Sequence, residues 1–599
     1  LFTPRNQILY SNPVNNKNDN PRIFLKSILK PLKGLEAVFE YTFDKNIYDY
    51  HWYTGQYDYT TIQGGSSKSF VDDYLRKYKQ HTNYNSINVY ATYNKDFGNH
   101  HFKVMAGFNQ ESSYQETLDT YSYNQAVLDV PAMSSGTGTI KATDSYSEYA
   151  IRGGFFRVNY NYLDKYLLEV NGRYDGSSKF PKSSRFGFFP SVSAGWQIAQ
   201  ERFMNSTRHW LDGLKLRASY GVIGNQNINP YTFTPSMSVN NKATSWIIDD
   251  TYVTSISSLP ALVSQNFTWE KVGTINVGLD VNLFNNRLSG VFEWYQRNTN
   301  GMLAPGVQLP AVVGASAPYQ NTADMRTRGW ELSLNWRDQI GKVGYRIGFN
   351  LSDYKSEIIK YDDNAATKLL SSYYPGQTLG EIWGYIVDGY YTVDDFVDTS
   401  SWQLKEGVTS INGYNVRPGD VKFKNLRDDD TSTNVITSGD NTFDNPGDRK
   451  VIGNTTPRYQ YGINLGMNYA GFDLNVILQG TGKRDYWISN VLTFPMNGDN
   501  FVPLFEGLSD YWMPKDPDNG DWSAVNPNAK YPRIYGNRGN SGSNLRQSDK
   551  YLSDASYLRI KNITLSYKLP KKWVNQIFLN QMKAFVSIEN VAKIGRASC

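Results

Sequence analysis

The chain has 599 residues, of which 40% are hydrophobic, with 45 Tyr, 14 Trp and a formal net charge of +5. Mean hydropathy is −0.54, and no stretch reaches the roughly 18 apolar residues of a spanning helix, so a passage through a bilayer would have to be made by strands closed into a barrel. The charge lies in no basic block, which removes the footprint of nucleic-acid binding, and the lone cysteine, Cys599, excludes a disulfide framework and a Cys-based metal site.

About sixteen strands are predicted along the chain. They run near Arg22–Leu29, Leu35–Tyr50, Ser86–Phe97, His101–Tyr114, Tyr146–Tyr162, Tyr166–Asp175, Phe186–Gln200 and Leu214–Tyr220. The second half continues with Trp269–Leu283, Leu288–Arg297, Met325–Arg337, Gly344–Lys355, Tyr459–Tyr469, Phe472–Gly482, Tyr557–Leu569 and Met582–Ile588. Several alternate with period two, which gives each strand one apolar and one wet face. Ile275, Val277, Leu279, Val281 and Leu283 oppose Asn276, Gly278, Asp280 and Asn282. A charge facing lipid at the midplane costs about 2–4 kcal/mol, so Asp280, Glu331 and Arg346 are expected to face a lumen. By the same alternation Leu279, Leu334, Phe349, Leu465 and Leu478 should point outward, with Asn335, Asn350, Asn464 and Asn475 inward.

The connections alternate in length. Short turns fall at Lys30–Gly34, Gly98–His100, Leu163–Lys165, Asn285–Arg287, Asp338–Val343 and Ala470–Gly471, and somewhat longer ones at Glu201–Gly213 and Pro570–Gln581. Long segments rich in Gly, Asn, Asp, Ser and Pro separate them, chiefly Gly221–Thr268, Ser356–Arg458 and Lys483–Ser556. This asymmetry belongs to all-β transmembrane antiparallel barrels, with short turns periplasmic and long loops extracellular. Tyr and Trp suit the interfacial girdles of such a barrel. The chain starts at Leu1 without Met or a signal sequence, so an upstream segment is expected. The first strand descends to a short turn and the last rises from one, so at least one further strand is expected at each end.

The motifs resemble those of the SusC/RagA-type TonB-linked outer-membrane proteins, a TonB-dependent transporter class of the Bacteroidetes. The resembling segments are Gly172–Pro190 (GRYDGSSKFPKSSRFGFFP) with Ser191–Trp196, Leu214–Gln226 (LKLRASYGVIGNQ), Trp269–Arg287 and Arg326–Trp336 (RTRGWELSLNW). They continue through Gly419–Phe423 (GDVKF), Ile452–Pro457, Gly471–Gly480 and Tyr557–Pro570 (YLRIKNITLSYKLP). The resemblance implies 22 strands in a complete barrel, about 16 of them here; six are then missing, and the direction of the first and last strands divides them naturally as five upstream and one downstream. It also implies an upstream plug and TonB box, energy from TonB–ExbB–ExbD, a SusD-like surface lipoprotein as partner, and import of an oligosaccharide or a peptide. Phe585–Asn590 is similar to the penultimate strand, but Lys593–Cys599 (KIGRASC) departs from the pattern. The barrel domain is therefore expected to cover residues 1–592, with 593–599 as a non-native tail.

Candidate contacts with cargo or partner fall in the longest loop, at Tyr373, Tyr374, Trp383, Tyr385, Tyr390, Tyr391 and Trp402, since amphipathic aromatics dominate interfaces. The alternative for more than half of them is packing of the loop against itself. An acidic stretch, Asn425 to Asp448, is similar to a calcium loop; Asp440, Asp444 and Asp448 are its candidate ligands. Arg427 at a ligand-like position, Asn441 where glycine is wanted, and an inserted segment weaken that pattern, so an empty, solvated loop and no cofactor are expected. Asp175–Ser178 reads as turn chemistry. No His-Glu-x-x-His or Gly-x-Ser-x-Gly element is present, and no enzyme is expected. A passive porin and a secreted glycan-binding β-protein are the competing classes.

Overall fold

The computed structural model describes residues 14–55, 58–60, 66–68, 73–127, 130–236, 239–240, 247–248, 251–252, 256–257, 261–264, 267–307, 309–364, 366–370, 372–427, 434–488, 506–535 and 542–595. All sixteen predicted strands are present. They are β1 (Arg22–Leu32), β2 (Leu35–Thr54), β3 (Tyr74–Phe97), β4 (His100–Tyr123), β5 (Ile140–Tyr162), β6 (Tyr166–Ser177), β7 (Phe186–Gln197) and β8 (Leu211–Asn225). The series continues with β9 (Glu270–Leu283), β10 (Leu288–Pro305), β11 (Tyr319–Ile340), β12 (Val343–Tyr361), β13 (Arg458–Tyr469), β14 (Phe472–Lys483), β15 (Tyr557–Lys568) and β16 (Lys583–Ile594). No helix among the described residues is long and apolar enough to cross a membrane.

Contacts divide the chain into two units: Leu1–Ala194, Tyr220–Lys271 and Pro318–Gln320 in one, Gly195–Ser219, Val272–Ala317 and Asn321–Cys599 in the other. In the first, β1 to β6 form an antiparallel meander in chain order. The short strand Asn15–Asp19 adds to β2 beyond the end of β1. In the second, β11 to β16 form another. Each meander turns tightly at one end, as predicted. At the β13–β14 turn Gly471 has φ +90°, and an added Cβ would meet the Lys568 carbonyl oxygen at 3.0 Å, so glycine alone fits there without strain. The expected tail boundary at residue 592 falls within β16, whose Lys593 and Ile594 pair with Arg559 and Leu558; residues 596–599 lie outside the described residues. An epitope inserted between Ala470 and Gly471 should stay hidden from antibody on intact cells, whereas one at Asp398–Ser401 should be labelled; the reverse pattern would invert the topology.

The two faces of the strands separate as expected. Leu279, Leu334 and Leu465 are 36%, 37% and 39% exposed despite being apolar, which in a bilayer is contact with lipid. Phe349 and Leu478, on the same faces, are half-buried. On the other face Arg217 of β8 donates to Asp280 of β9 at 3.1 Å and to Glu293 of β10, and Asn276 donates to Glu293 at 3.1 Å. Arg346 of β12 donates to Asn475 of β14 at 3.2 Å, and Asn335, Arg346, Gly348 and Asn464 line one polar cleft. Arg458 of β13 is held by Asp353 of β12, which is 7% exposed.

Several strands run past the predicted ends, β3 and β4 furthest, and four reach twenty residues or more in the first unit. β3 and β4 have 24 residues each, β5 has 23 and β2 has 20, against the roughly 9–11 that a tilted strand needs to span the hydrocarbon. The upper halves of these strands therefore stand outside the membrane, beyond the long-loop side. The prediction began β3 at Ser86, because Lys77, Lys79, Gln80, His81 and Thr82 carry no apolar alternation. With no lipid facing the sheet, none is required.

Candidate functional site

The longest loop, residues 362–457, starts six residues later than predicted, because Ser356–Tyr361 belongs to β12. It builds its own small sheets: Glu381–Tyr385 pairs with Arg449–Asn454, Val387–Tyr390 with Val421–Phe423, and Ser410–Ile411 with Val435–Ile436. Tyr385, Tyr391, Phe396, Ile411, Val421, Phe423 and Ile436 form its buried core, and Leu369, Tyr374 and Trp383 a second one. Four of the seven candidate aromatics are thus interior: Tyr374, Trp383, Tyr385 and Tyr391 are at most 8% exposed. The polar tips of three of them are spoken for as well. Trp383 Nε1 donates to Tyr374 Oη at 3.0 Å, Tyr374 Oη donates to Glu381, and Tyr391 Oη donates to the Thr409 carbonyl at 2.6 Å. Tyr390 and Trp402 are half-buried and Tyr373 is exposed. Burial as an apolar body with a satisfied polar tip is the normal packing of tyrosine and tryptophan, and it makes most of this set scaffold.

What the sequence reasoning missed is that this loop is joined to the next long one, residues 484–556. The junction centres on Asp420, which is 1% exposed. Its carboxylate accepts from Asn544 Nδ2 at 2.9 Å, Tyr535 Oη at 2.7 Å and the Arg417 backbone N–H at 2.8 Å. Asn544 reciprocates, its Oδ1 accepting from the Val421 N–H at 2.8 Å. Burial pushes the Asp420 carboxyl above the usual carboxylate range, opposed by those three donors and by Arg533. Around it, Tyr390 Oη donates to the Ala529 carbonyl and the Val387 N–H to Asp549 Oδ1. The Arg533 N–H donates to the Gly419 carbonyl. Gly419 is held at φ +91° with the Trp512 ring 2.3 Å from where a Cβ would lie, so no other residue fits beneath that ring. Trp402 meets Trp522 edge-on at 5.0 Å, Arg533 stacks over Trp522 at 4.9 Å, and Lys550 lies over the Tyr390 ring at 4.6 Å with burial lowering its pKa to about 8. The one signal in the sequence is the Gly419–Phe423 motif, which contains Asp420.

The acidic stretch does not gather its carboxylates. Asp448, 2% exposed, accepts from the backbone N–H groups of Leu426 and Thr437 at 2.9 and 2.7 Å. Asp440 accepts from Asn445 Nδ2 at 3.1 Å, and Asp444 is exposed. Among the described residues no group of three His, Cys, Asp or Glu is placed to hold a metal; Asp428, Asp429 and Asp430 lie outside them. The centre of the stretch is taken by a buried guanidinium instead. Arg449 donates to the Ser438 and Pro446 carbonyls at 2.9 and 3.1 Å and to Asn441 Oδ1 at 2.8 Å, contacts a cation-binding loop would give to its metal. Asp175 pairs with Arg173 at 2.9 Å and Ser177 lies fully buried inside the strand, which supports the reading of Asp175–Ser178 as local structure.

Antiparallel strands with an apolar lipid face and an ion-paired inner face, joined within each unit by tight turns at one end and long loops at the other, are the pattern of an outer-membrane β-barrel. More narrowly, residues 2–591 match the family described as TonB dependent receptor-like, beta-barrel, and the chain belongs to that family, one of receptors and transporters of the outer membrane and not of enzymes. The chain is 28% identical over 557 residues to the TonB-dependent receptor P3 of Formosa agariphila, covering 90% of this chain and 50% of that protein. It is 27% identical over 509 residues to the TonB-dependent receptor SusC of Bacteroides thetaiotaomicron, covering 82% and 45%. The chain spans about half the length of these curated relatives. In fold it is similar to the RagAB peptide importer in its "open-open" state, with a TM-score of 0.78, 20% identity, and coverage of 98% of this chain and 58% of that one.

Proposed function

We propose that this barrel is the outer-membrane part of a SusC/RagA-type importer that takes up an oligosaccharide with a SusD-like surface lipoprotein as its lid, driven by TonB–ExbB–ExbD. The observation that carries the reading is the joined loop body. Two loops of roughly a hundred and seventy residues with their own cores give a lipoprotein a preformed platform, so docking forfeits little conformational entropy. A passive pore has no use for such a platform.

The experiment is co-purification from the full-length importer with residues 362–457 and 484–556 both replaced by short glycine–serine turns. The barrel should remain heat-modifiable on gels, while capture of the lipoprotein and uptake of the oligosaccharide are lost. Capture retained at wild-type level would place the lid on other loops and remove the support drawn from this one.

A further inference from the structure

The extracellular extension of β2, β3 and β4 carries an aromatic field that neither girdle nor core packing explains. Pairing of β3 with both neighbours runs from Tyr74 to Phe97 without a bulge, so the facing of each side chain follows parity along the whole strand. Even-numbered β3 residues face inward at membrane level, where Asn88 accepts from Asn109 at 2.7 Å and Tyr90 Oη meets Glu40. The same face above the membrane therefore continues the lumen wall, and it presents Tyr50, Trp52, Tyr74, Tyr78, Tyr121 and Tyr123. Trp52 meets Tyr74 at 5.7 Å, and Tyr74 meets Tyr121 and Tyr123 at 5.6 Å each. Tyr74 lies 23 residues above the periplasmic end of β3, about 75 Å along the strand, well clear of any lipid interface.

The two faces of this sheet are treated differently. On the outward face Leu75 and its partner Ser122 are fully buried, and Ser122 is sealed by Gln125 and Met133 of the following segment. Among the described residues the aromatic face has no such cover, and its rings are half-exposed.

We infer that this face is a stacking wall for an uncharged oligosaccharide on its way into the barrel, a site that rests on the oligosaccharide reading above. Three properties select that ligand. Tyr121 and Tyr123 lie nearly parallel at 6.4 Å, with Tyr74 tilted against both and Trp52 edge-on to Tyr74; the C–H faces of sugar rings can lie on this apolar relief, and the phenolic oxygens can accept from sugar hydroxyls. The charges are already spent: Arg76 is held bidentately by Asp119 at 3.0 and 2.9 Å and boxed by the Tyr50, Tyr78 and Tyr121 rings at 5.4, 5.7 and 5.3 Å. Lys141 is bound to Tyr123, over its ring at 4.6 Å and donating to its hydroxyl at 3.2 Å. An anionic cargo would find no free cation among these groups. Both backbone edges of β3 are also occupied from Tyr74 to Tyr93, and the outer edge of β2 is occupied at Ile47–His51, so a peptide cannot add there as a strand.

The test uses the full-length importer, titrated with neutral gluco-, manno- and xylo-hexaoses and with a hexapeptide, for wild type and for two triple variants. Trp52→Ala/Tyr74→Ala/Tyr121→Ala should weaken binding of whichever hexaose the wild type takes by at least tenfold. Trp52→Phe/Tyr74→Phe/Tyr121→Phe, which keeps the rings, should stay within about threefold, and both should remain heat-modifiable and capture the lipoprotein. If the wild type takes a hexaose and the folded alanine variant takes it equally well, the wall is wrong and the oligosaccharide reading survives. If the wild type takes the hexapeptide and none of the sugars, that reading falls and the wall with it.

Discussion

Asp420→Ala should release the two long loops from each other while leaving the barrel intact. The substitution removes the acceptor shared by Asn544, Tyr535 and the Arg417 N–H. A buried donor left unsatisfied costs about 1–3 kcal/mol, so the joined body should lose about 3–5 kcal/mol, a large part of what a fold of this size has. The strands pair through their own ladders and do not depend on it. Amide exchange in 387–391 and 542–551 should accelerate by at least a hundredfold, with β13 and β14 unchanged; equal protection in variant and wild type would show that the apolar cores alone join the loops. The same site sets a pH trend. The folded carboxyl titrates above its unfolded value, so its contribution is fully present below the usual carboxylate range and is lost as pH rises through the folded pKa. The junction should therefore tighten on acidification in wild type, and that trend should vanish in Asp420→Leu.

Leu334→Lys should impair barrel assembly, and Asn335→Lys, one residue on, should not. Leu334 lies six residues from the end of β11, which is about 20 Å along the strand and close to the centre of a roughly 25 Å apolar band once tilt is included. A lysine facing lipid there costs about 2–4 kcal/mol, whereas position 335 opens on the polar cleft with Arg346 and Asn464. Urea unfolding of the importer refolded in lipid vesicles reads the difference. Equal midpoints for the two variants would mean that the faces are assigned wrongly or that neither reaches the membrane.

The barrel was legible because lipid enforces a rule on sequence. Wherever a strand has lipid on one side and water on the other, as at Trp330–Trp336 or Tyr459–Tyr469, the residues alternate, and each of those strands was found. Where no lipid faces the strand the rule lapses, and the upper half of β3 passed unread. The loop aromatics were legible as residue types but not as directions, since a tyrosine suits a core and a surface equally. Asp420 was visible only as part of a motif. Its partner Asn544 is 124 residues away, and nothing local marks a carboxylate as the one that will be buried by a distant segment.

The joined loops also determine how this molecule is seen from outside the cell. Val387 and Asp549, bonded to each other across 162 residues of chain, belong to one continuous patch of surface. Antibodies raised against peptides from either loop would be selected on shapes the intact protein does not display. Those raised against the folded protein would recognise discontinuous epitopes, and point changes in one loop could abolish recognition mapped to the other. Immune pressure or phage adsorption acting on this surface would then favour paired changes in the two segments, a covariation detectable across strains without any structure at all.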